Sequence, residues 1–233
     1  MRYDRLRMRD IALRKGKSGE DYCGKLLDRH GGIDRIENVA LGDVHDDDTT
    51  EIDFIINCQT HLTIVEAKAW SGLIIGGSVH SEVWSIQSPY GVTTFRKNPI
   101  LQVARHADFL SRVHNIPRNQ CQIAVVMTGD VVFSESFDAT ALDGILFTKP
   151  SIHGIRNILS PWRGVSKARS ITALWDALVC YAYSPEQERW QHEHARKIRK
   201  REVSIPAWAC TLAFAFLILT IGGIFITDIS PMQ

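Results

Sequence analysis

Residues 51–68 read EIDFIINCQTHLTIVEAK, and this stretch decides the fold. It contains two apolar runs, Glu51–Asn57 and His61–Ala67, each with the length and the β-branched residues that are typical of a strand. Only three residues, Cys58-Gln59-Thr60, separate the two runs, which is short enough for a hairpin connection. The stretch therefore predicts two adjacent strands joined as a β-hairpin.

Beyond Glu51 at its start, this apolar hairpin contains three charged side chains. Asp53 lies in the first strand, and Glu66 and Lys68 lie at the end of the second. Residues two apart on a strand face the same side, so Glu66 and Lys68 project together, and in a hairpin Asp53 can reach that face. Two carboxylates can bind Mg²⁺, and a neighbouring ammonium can position or deprotonate a water that attacks a phosphodiester. A plain salt bridge between Glu66 and Lys68 would explain the same pattern without chemistry.

The sequence on both sides of the hairpin predicts an α/β domain. Apolar residues recur at helical spacing in Pro99–His114, with Asn98 as a good N-cap and Pro99 as a good first residue. The continuous apolar run Gln122–Met127 is typical of a strand buried on both faces. The other predicted elements are a helix at Ser18–Asp28, strands at Val39–Val44, Gly72–Gly77, Glu82–Gln87 and Gly144–Thr148, a polar turn at Asp46–Thr50, an amphipathic helix at Ser166–Tyr183, and a polar, solvent-bridging helix from Ser184 to Glu202.

The uncharged segment Ile205–Ile226 is long enough to cross a membrane. Its 22 residues, at about 1.5 Å each, span the roughly 30 Å hydrocarbon core. A buried core helix is the alternative, although a domain of this size rarely encloses a helix that is apolar all round. Six basic residues precede the span and none follows it, so the positive-inside rule predicts a single-pass protein with a cytosolic N-terminal domain and an external C-terminus. The adjacent glycines Gly222 and Gly223 would permit a homo-oligomer through this helix.

Composition limits the class of protein but names no activity. The net charge of +1 means that any grip on nucleic acid must come from a local patch. The five cysteines form no CxxC pair, so a disulfide framework or a zinc knuckle is not expected. The arginine-rich N-terminus is followed by no apolar run and does not form a secretory signal peptide.

Several short motifs occur in the order found in the nuclease-related (NERD) domain, a family that looks related to the PD-(D/E)xK nucleases. Between Ser18 and Gly129 they are Gly19-Glu20, Glu51-Ile52-Asp53, Val65–Gly72, Trp84 and Asn98–Gln102. The chain resembles that family over this region. Ala69 follows the lysine where the family often has a polar residue, a departure that leaves the three charged positions intact.

The resemblance implies a restriction-endonuclease-like α-β-β-β-α-β core with a mixed sheet. It places Asp53, Glu66 and Lys68 at the metal and catalytic positions, with Mg²⁺ or Mn²⁺ as the cofactor. It implies further that Glu20 is an auxiliary metal ligand and that Gln102 orients substrate or water through its amide. Glu20 could instead belong simply to a helix start and Gln102 to an exposed helical face. His106 lies one turn after Gln102; we expect it on the surface, with the same cleft as the alternative. Trp70 and Trp84 are expected to pack in the core or at its rim.

These patterns divide the chain into five segments and leave three hypotheses for its function. The segments are a basic N-terminal segment (1–17), a nuclease-related domain (18–150), a helical extension and stalk (151–203), a transmembrane helix (204–227) and a short external tail (228–233). The leading hypothesis is a membrane-anchored, metal-dependent nuclease acting on DNA or RNA in the cytosol. The others are a non-catalytic nucleic-acid-binding or signalling module that keeps the fold, and a membrane scaffold that oligomerises through its tail helix.

Overall fold

A computed structural model describes residues 2–31, 33–43, 46–135, 137, 145–148, 151–160 and 171–203 of the chain. By its internal contacts the chain divides into two compact units, residues 1–191 and 192–233. The helices are α1 (Arg2–His30), α2 (Pro99–His114), α3 (Ile152–Leu159), α4 (Thr172–Ala182) and α5 (Pro185–Val203). The strands are β1 (Arg35–Asp43), β2 (Asp46–Asn57), β3 (Leu62–Lys68), β4 (Gly72–Gly76), β5 (Val83–Gln87), β6 (Thr93–Lys97), β7 (Cys121–Met127), β8 (Val131–Phe133) and β9 (Leu146–Thr148).

The predicted hairpin lies in a mixed sheet with the order β1-β2-β3-β7-β9. β2 runs antiparallel to β1 and β3, whereas β7 runs parallel to both β3 and β9. The β2–β3 hairpin and the buried β7 strand are both confirmed. Parallel strands need a long crossover, and the crossover from β3 to β7 includes α2.

A second mixed sheet has the order β6-β5-β4-β8. β4, β5 and β6 pair antiparallel, and β8 pairs parallel with β4. β3 leads into β4 through three residues, 69–71, and β7 leads into β8 through three residues, 128–130. The segment β3–β4 and the segment β7–β8 therefore lie side by side in both sheets. The carboxyl ends of β3 and β7 meet at one edge of the first sheet.

Two helices pack against the first sheet and fill two apolar clusters. Buried residues of α2, including Val103 and Leu110, cluster with Ile64 of β3. Buried residues of α1, including Leu27, cluster with Val65 of β3. Adjacent residues of β3 thus enter different clusters, and complete burial of each such side chain stabilises the fold by about 1.5–3 kcal/mol.

Asn98 sets the start of α2, as its capping prediction requires. Its Oδ1 accepts a hydrogen bond from Ile100 N at 2.9 Å. Its Nδ2 donates to the carbonyl oxygens of Val79 at 2.9 Å and Ser81 at 2.8 Å in the turn before β5. The buried amide therefore ties the first turn of α2 to the turn that precedes β5.

Two sequence-based expectations are wrong. Asp46–Thr50 is not a turn but the first part of β2, because Thr49 and Thr50 pair with Gly42 and Leu41 and lengthen the β1–β2 ladder. The polar helix α5 begins as predicted, with Ser184 Oγ accepting from Gln187 N at 3.2 Å. However, Gln187 and Trp190 are buried, so its first turns do not bridge through solvent.

Some predicted segments lie wholly or partly outside the described residues. They include the span Ile205–Ile226, and also residues 144 and 166–170, where a strand and a helix were expected to begin. Among the helices of the described residues, none has both the length and the apolarity needed to cross a bilayer.

Candidate active site

The carboxyl end of β3 carries a buried charge cluster centred on Glu66. The Glu66 side chain is only 2 % exposed, and the Lys68 side chain, two residues later, is 21 % exposed. Lys68 Nζ donates to Glu66 Oε1, as expected for two residues that share a face of the strand. The predicted projection of the two side chains is therefore observed, and the contact is far more buried than a surface salt bridge.

α2 supplies two further side chains to this carboxylate. Gln102 Nε2 donates to Glu66 Oε1 at 2.7 Å. His106 lies one turn later, with its Nδ1 at 3.5 Å from Glu66 Oε2. Residues four apart on a helix lie on the same face, so the packing of α2 over β3 brings both side chains to Glu66. Gln102 therefore faces the site rather than solvent.

Asp53 reaches the site because β2 and β3 stop pairing beside it. The ladder between these strands ends at Phe54 and Val65. Beyond this pair, the Asp53 side chain takes the place of the β2 backbone as the hydrogen-bond partner of β3. Its Oδ2 accepts from Ala67 N at 2.7 Å. This hydrogen bond satisfies a backbone group that the ladder leaves open. It also holds the carboxylate beside Glu66 and Lys68.

Glu20 approaches the cluster from α1. Burial raises its pKa, and the nearby Asp53 carboxylate raises it further, whereas Lys17 and Lys68 act in the opposite direction. These interactions place Glu20 in the electrostatic field of the site. Within the described residues, however, no group of three aspartate, glutamate, histidine or cysteine side chains is arranged to hold a metal ion.

Burial dominates the electrostatics of the carboxylates. It raises the pKa of Glu66 to about 8, against the opposing effect of Lys68 and with help from Asp53. It also raises the pKa of Asp53, although Lys68 and the hydrogen bond from Ala67 N act to lower it. Removing a carboxylate from water disfavours its charged form. A cation at this point would offset that cost.

The two basic groups of the cluster respond in different ways. Burial acts to lower the pKa of Lys68, but Glu66, Asp53 and Glu20 outweigh it and raise the value. Lys68 therefore remains an ammonium. Burial lowers the pKa of His106 to about 4, and Lys68 adds to that effect, so His106 is neutral near pH 7.

His106 lies in the cleft and not on the surface, where we expect it from the sequence. Its side chain is 2 % exposed and lies against Glu66, as the alternative drawn from its spacing to Gln102 has it. The signal was present in the helical period, because His106 falls among the buried positions Val103, Ala107 and Leu110 of the same helix. A histidine on the apolar face of a helix that packs on β3 belongs to the interior.

Other features lie apart from this cluster. Trp84 is fully buried and meets Trp70 edge to face, with ring centroids 6.2 Å apart, so packing is confirmed as its role. A cleft of about 710 Å³ is lined by β1 and by Tyr183 and Gln187 near the start of α5. It contains none of the residues of the charge cluster, so its size does not mark the site.

The described residues form an α/β fold with a buried charge cluster at the carboxyl end of β3. The family model of the nuclease-related domain (NERD) matches residues 15–132, just over half of the chain. The chain therefore belongs to the nuclease-related domain family. No curated protein and no solved structure matches it significantly.

Proposed function

We propose that this chain is a membrane-anchored, metal-dependent nuclease that hydrolyses phosphodiester bonds in DNA or RNA on the cytosolic side. The observation that supports this most strongly is the meeting of Asp53, Glu66, Lys68 and Gln102 at the carboxyl end of β3 in a nuclease-related domain. The first sheet and its two helices follow the order α1-β1-β2-β3-α2-β7, with β4–β6 of the second sheet inserted between β3 and α2, and this order supports a restriction-endonuclease-like core.

The carboxylates suit a hard divalent cation such as Mg²⁺ or Mn²⁺. Mg²⁺ is commonly bound by one or two carboxylates and completes its shell with water, so a protein cage of three side chains is not required. Asp53 and Glu66 would be its ligands, with Glu20 as the auxiliary carboxylate. Glu66 Oε2 is buried and has no hydrogen-bond partner among the described residues, which leaves it available to a cation. The metal would act as a Lewis acid on the phosphate and help to generate the attacking hydroxide.

The remaining side chains of the cluster would orient the Glu66 carboxylate and stabilise the developing negative charge. Lys68 stays charged, so it supports the reaction as a fixed cation beside the developing negative charge rather than as a base. Gln102 holds Glu66 Oε1 through its amide and thereby fixes the orientation of the carboxylate. His106, neutral and buried, packs beside the other carboxylate oxygen, Glu66 Oε2. Together these groups preorganise the charges that the transition state needs.

The membrane anchor is proposed from the sequence. Ile205–Ile226 contains no charged residue and follows a strongly basic segment. A single helix over these residues would keep the nuclease-related domain next to the inner face of the membrane. Association of such helices would make the protein a homo-oligomer.

The test is metal-dependent cleavage by the full chain, purified in detergent. We expect cleavage of labelled DNA or RNA in Mg²⁺ or Mn²⁺ and none after chelation with EDTA. Mg²⁺ at about a hundredfold excess over its Kd should stabilise the fold by roughly 2–3 kcal/mol, which raises the Tm by several degrees. Asp53→Ala should remain folded and lose both effects.

Each outcome has a defined meaning. An equal rise in Tm for the parent and Asp53→Ala would refute the ligand set. Cleavage that persists in EDTA would overturn metal dependence. Binding of nucleic acid without cleavage in any divalent metal would identify the chain as the non-catalytic binding module instead.

A further inference from the structure

A separate cavity of about 330 Å³ lies beside the charge cluster, and we call it the hydroxyl pocket. It is bounded by α1 on one side and by the links that follow β3 and β7 on the other. Of the described residues that line it, none is charged. Its principal side chains are those of Ser18, Tyr22, Ala69, Ser71 and Thr128.

The hydroxyl pocket adjoins the site through the chain itself. Ala69 follows Lys68 directly, and Gly19, which also lines the pocket, precedes Glu20. Thr128 N donates to the carbonyl oxygen of Lys68 at 3.0 Å. A ligand in the pocket would therefore lie next to a group bound at the end of β3.

Glycines give the pocket its shape. A Cβ at Gly19 would overlap Thr128 Oγ1 and lie 2.9 Å from Ala69 Cβ. A Cβ at Gly129 would overlap the carbonyl oxygen of Trp70. Glycine is required at such close approaches. α1 and the two links meet at these glycines, and the space beside them remains open as the pocket.

The lining of the pocket suits one kind of ligand. Thr128 Oγ1 is buried and has no hydrogen-bond partner among the described residues, which is costly unless a ligand or water satisfies it. The Tyr22 ring is 45 % exposed at the rim and offers an aromatic face. The hydroxyls of Ser18 and Ser71 add further donors and acceptors. An uncharged, planar, hydrogen-bonding group fits this lining, whereas a phosphate would find no cation there.

We propose that the hydroxyl pocket binds an unpaired nucleobase next to the scissile phosphodiester, and that the substrate is therefore single-stranded nucleic acid. The inference rests on the proposed nuclease function and names its substrate class. Tyr22 stacks on the base, and Thr128 Oγ1 with the neighbouring serine hydroxyls contacts its edge. The edges and faces of a base inside a duplex are already occupied, so only a single strand presents both.

The experiment measures binding rather than cleavage, with the full chain in detergent and in EDTA at fixed salt. The probes are a short single-stranded oligonucleotide, the same sequence as a duplex, and a fully abasic sugar–phosphate strand of equal length. We expect the parent to bind the single strand at least about 10-fold more tightly than the abasic strand, because stacking contributes strongly for each base. It should also bind the single strand more tightly than the duplex.

Two variants probe the pocket directly, and a third variant serves as a control. Thr128→Val keeps the shape and removes the hydroxyl, so affinity for the intact strand should fall about 3- to 10-fold. Tyr22→Leu should lower it by about 10-fold. Neither change should alter binding of the abasic strand. Thr93→Val, on the exposed strand β6, should leave both affinities unchanged.

The outcomes separate this inference from the nuclease proposal. Equal affinity for the intact and abasic strands would overturn the inference, even if the chain cleaves nucleic acid. Base-dependent binding that Thr128→Val and Tyr22→Leu weaken would support it, even if no cleavage occurs. Free nucleosides should also broaden or shift the Tyr22 ring resonances of the parent in NMR spectra, and the absence of any such effect would count against the pocket.

Discussion

At the residue scale, hydrogen bonds and burial act in opposite directions on the charged form of Glu66. Its carboxylate accepts from Lys68 and Gln102, yet burial still raises its pKa to about 8. A buried carboxylate of this kind costs folding free energy above its ordinary titration range. Binding sites often retain such groups because a ligand compensates the charge. The electrostatics of Glu66 therefore support a cation site more than a structural ion pair.

A substitution at Lys68 distinguishes the nuclease hypothesis from the binding-module hypothesis. Lys68→Met keeps the length of the stem and deletes the ammonium. We expect cleavage to fall by about 10²- to 10⁴-fold, the range for a positioned catalytic group. The rise in Tm with Mg²⁺ should persist, because Asp53 and Glu66 remain. Cleavage rate and oligonucleotide affinity, measured in one magnesium buffer at fixed salt, provide the check.

The matched control for that variant is Lys97→Met, at an exposed position on β6. It removes the same charge without touching the cluster, so the single-turnover rate at saturating enzyme should equal that of the parent. Parental cleavage by Lys68→Met would refute the catalytic assignment. An equal loss in both variants would mean that net charge, and not the position of Lys68, governs the rate.

His61 should make the protein sensitive to acid. It is buried at the start of β3, and burial lowers its pKa below the ordinary 6.5. The unfolded chain therefore binds a proton first as the pH falls, so the stability contributed by neutral His61 is present above pH 6.5 and is lost below it. His61→Leu should show a smaller fall in Tm between about pH 7 and pH 5.

The control for the histidine prediction is His80→Leu, at an exposed position before β5. Thermal melts of the three proteins across the same buffers give the comparison. Parallel pH profiles for the parent and His61→Leu would show that His61 does not contribute to the acid sensitivity. Its Nε2 has no hydrogen-bond partner among the described residues, so leucine removes no contact at that atom.

At the scale of elements, the close approach of α1 to the sheet depends on Gly19 and not on Gly16. A Cβ at Gly19 would collide with Thr128, whereas a Cβ at Gly16, one turn earlier, would meet nothing within 4 Å. We expect Gly19→Ala to destabilise the fold by about 1–3 kcal/mol through overpacking. Gly16→Ala should stabilise it by about 0.5–1 kcal/mol, because alanine favours the helix.

Denaturant unfolding of both glycine variants distinguishes these effects. Gly19→Ala should also reduce single-strand binding, because the added methyl group would displace Thr128, which lines the hydroxyl pocket. Equal stabilisation by the two alanines would show that α1 is not held closely against Thr128. It would also remove the steric basis of the pocket.

The helices and strands differ in how well local sequence predicted them. α2 was predicted with its observed bounds, because its apolar period and the Asn98 cap agree. β6 was not predicted, since all five of its residues are exposed and only Phe95 is apolar. The strand exists because it pairs along its length with β5. Cross-strand pairing of this kind leaves no periodic signal within one strand.

At the scale of the whole molecule, two pairs of parallel strands determine where the charge cluster and the hydroxyl pocket lie. β3 pairs with β7 in one sheet, and the continuing strands β4 and β8 pair in the other. The links between them are held together, with Gly72 N donating to the carbonyl oxygen of Asp130 at 2.8 Å. Both the charge cluster and the hydroxyl pocket lie at this junction. Sites are commonly found at the carboxyl ends of parallel strands.

Membrane orientation is the prediction that concerns the whole chain. A reporter fused after Gln233 should report an external location, and one fused before Met1 a cytosolic location, because the basic residues precede the span and the tail has none. Substituting the basic residues at 196–201 with glutamine should weaken this bias. A cytosolic C-terminal reporter would overturn the orientation, and recovery of the whole chain in the soluble fraction would remove the anchor.

The sequence by itself determined the hairpin, the helix α2 and the buried strand β7. It also singled out Asp53, Glu66 and Lys68, because charges inside apolar strands stand out locally. Only the tertiary structure decided that His106 is buried against Glu66 and that β2 diverges to present Asp53 to Ala67. It alone placed Thr128 beside Gly19. The physical reason is range: periodicity and capping act within one segment, whereas these contacts join segments far apart in the chain and arise only when the sheets and helices pack.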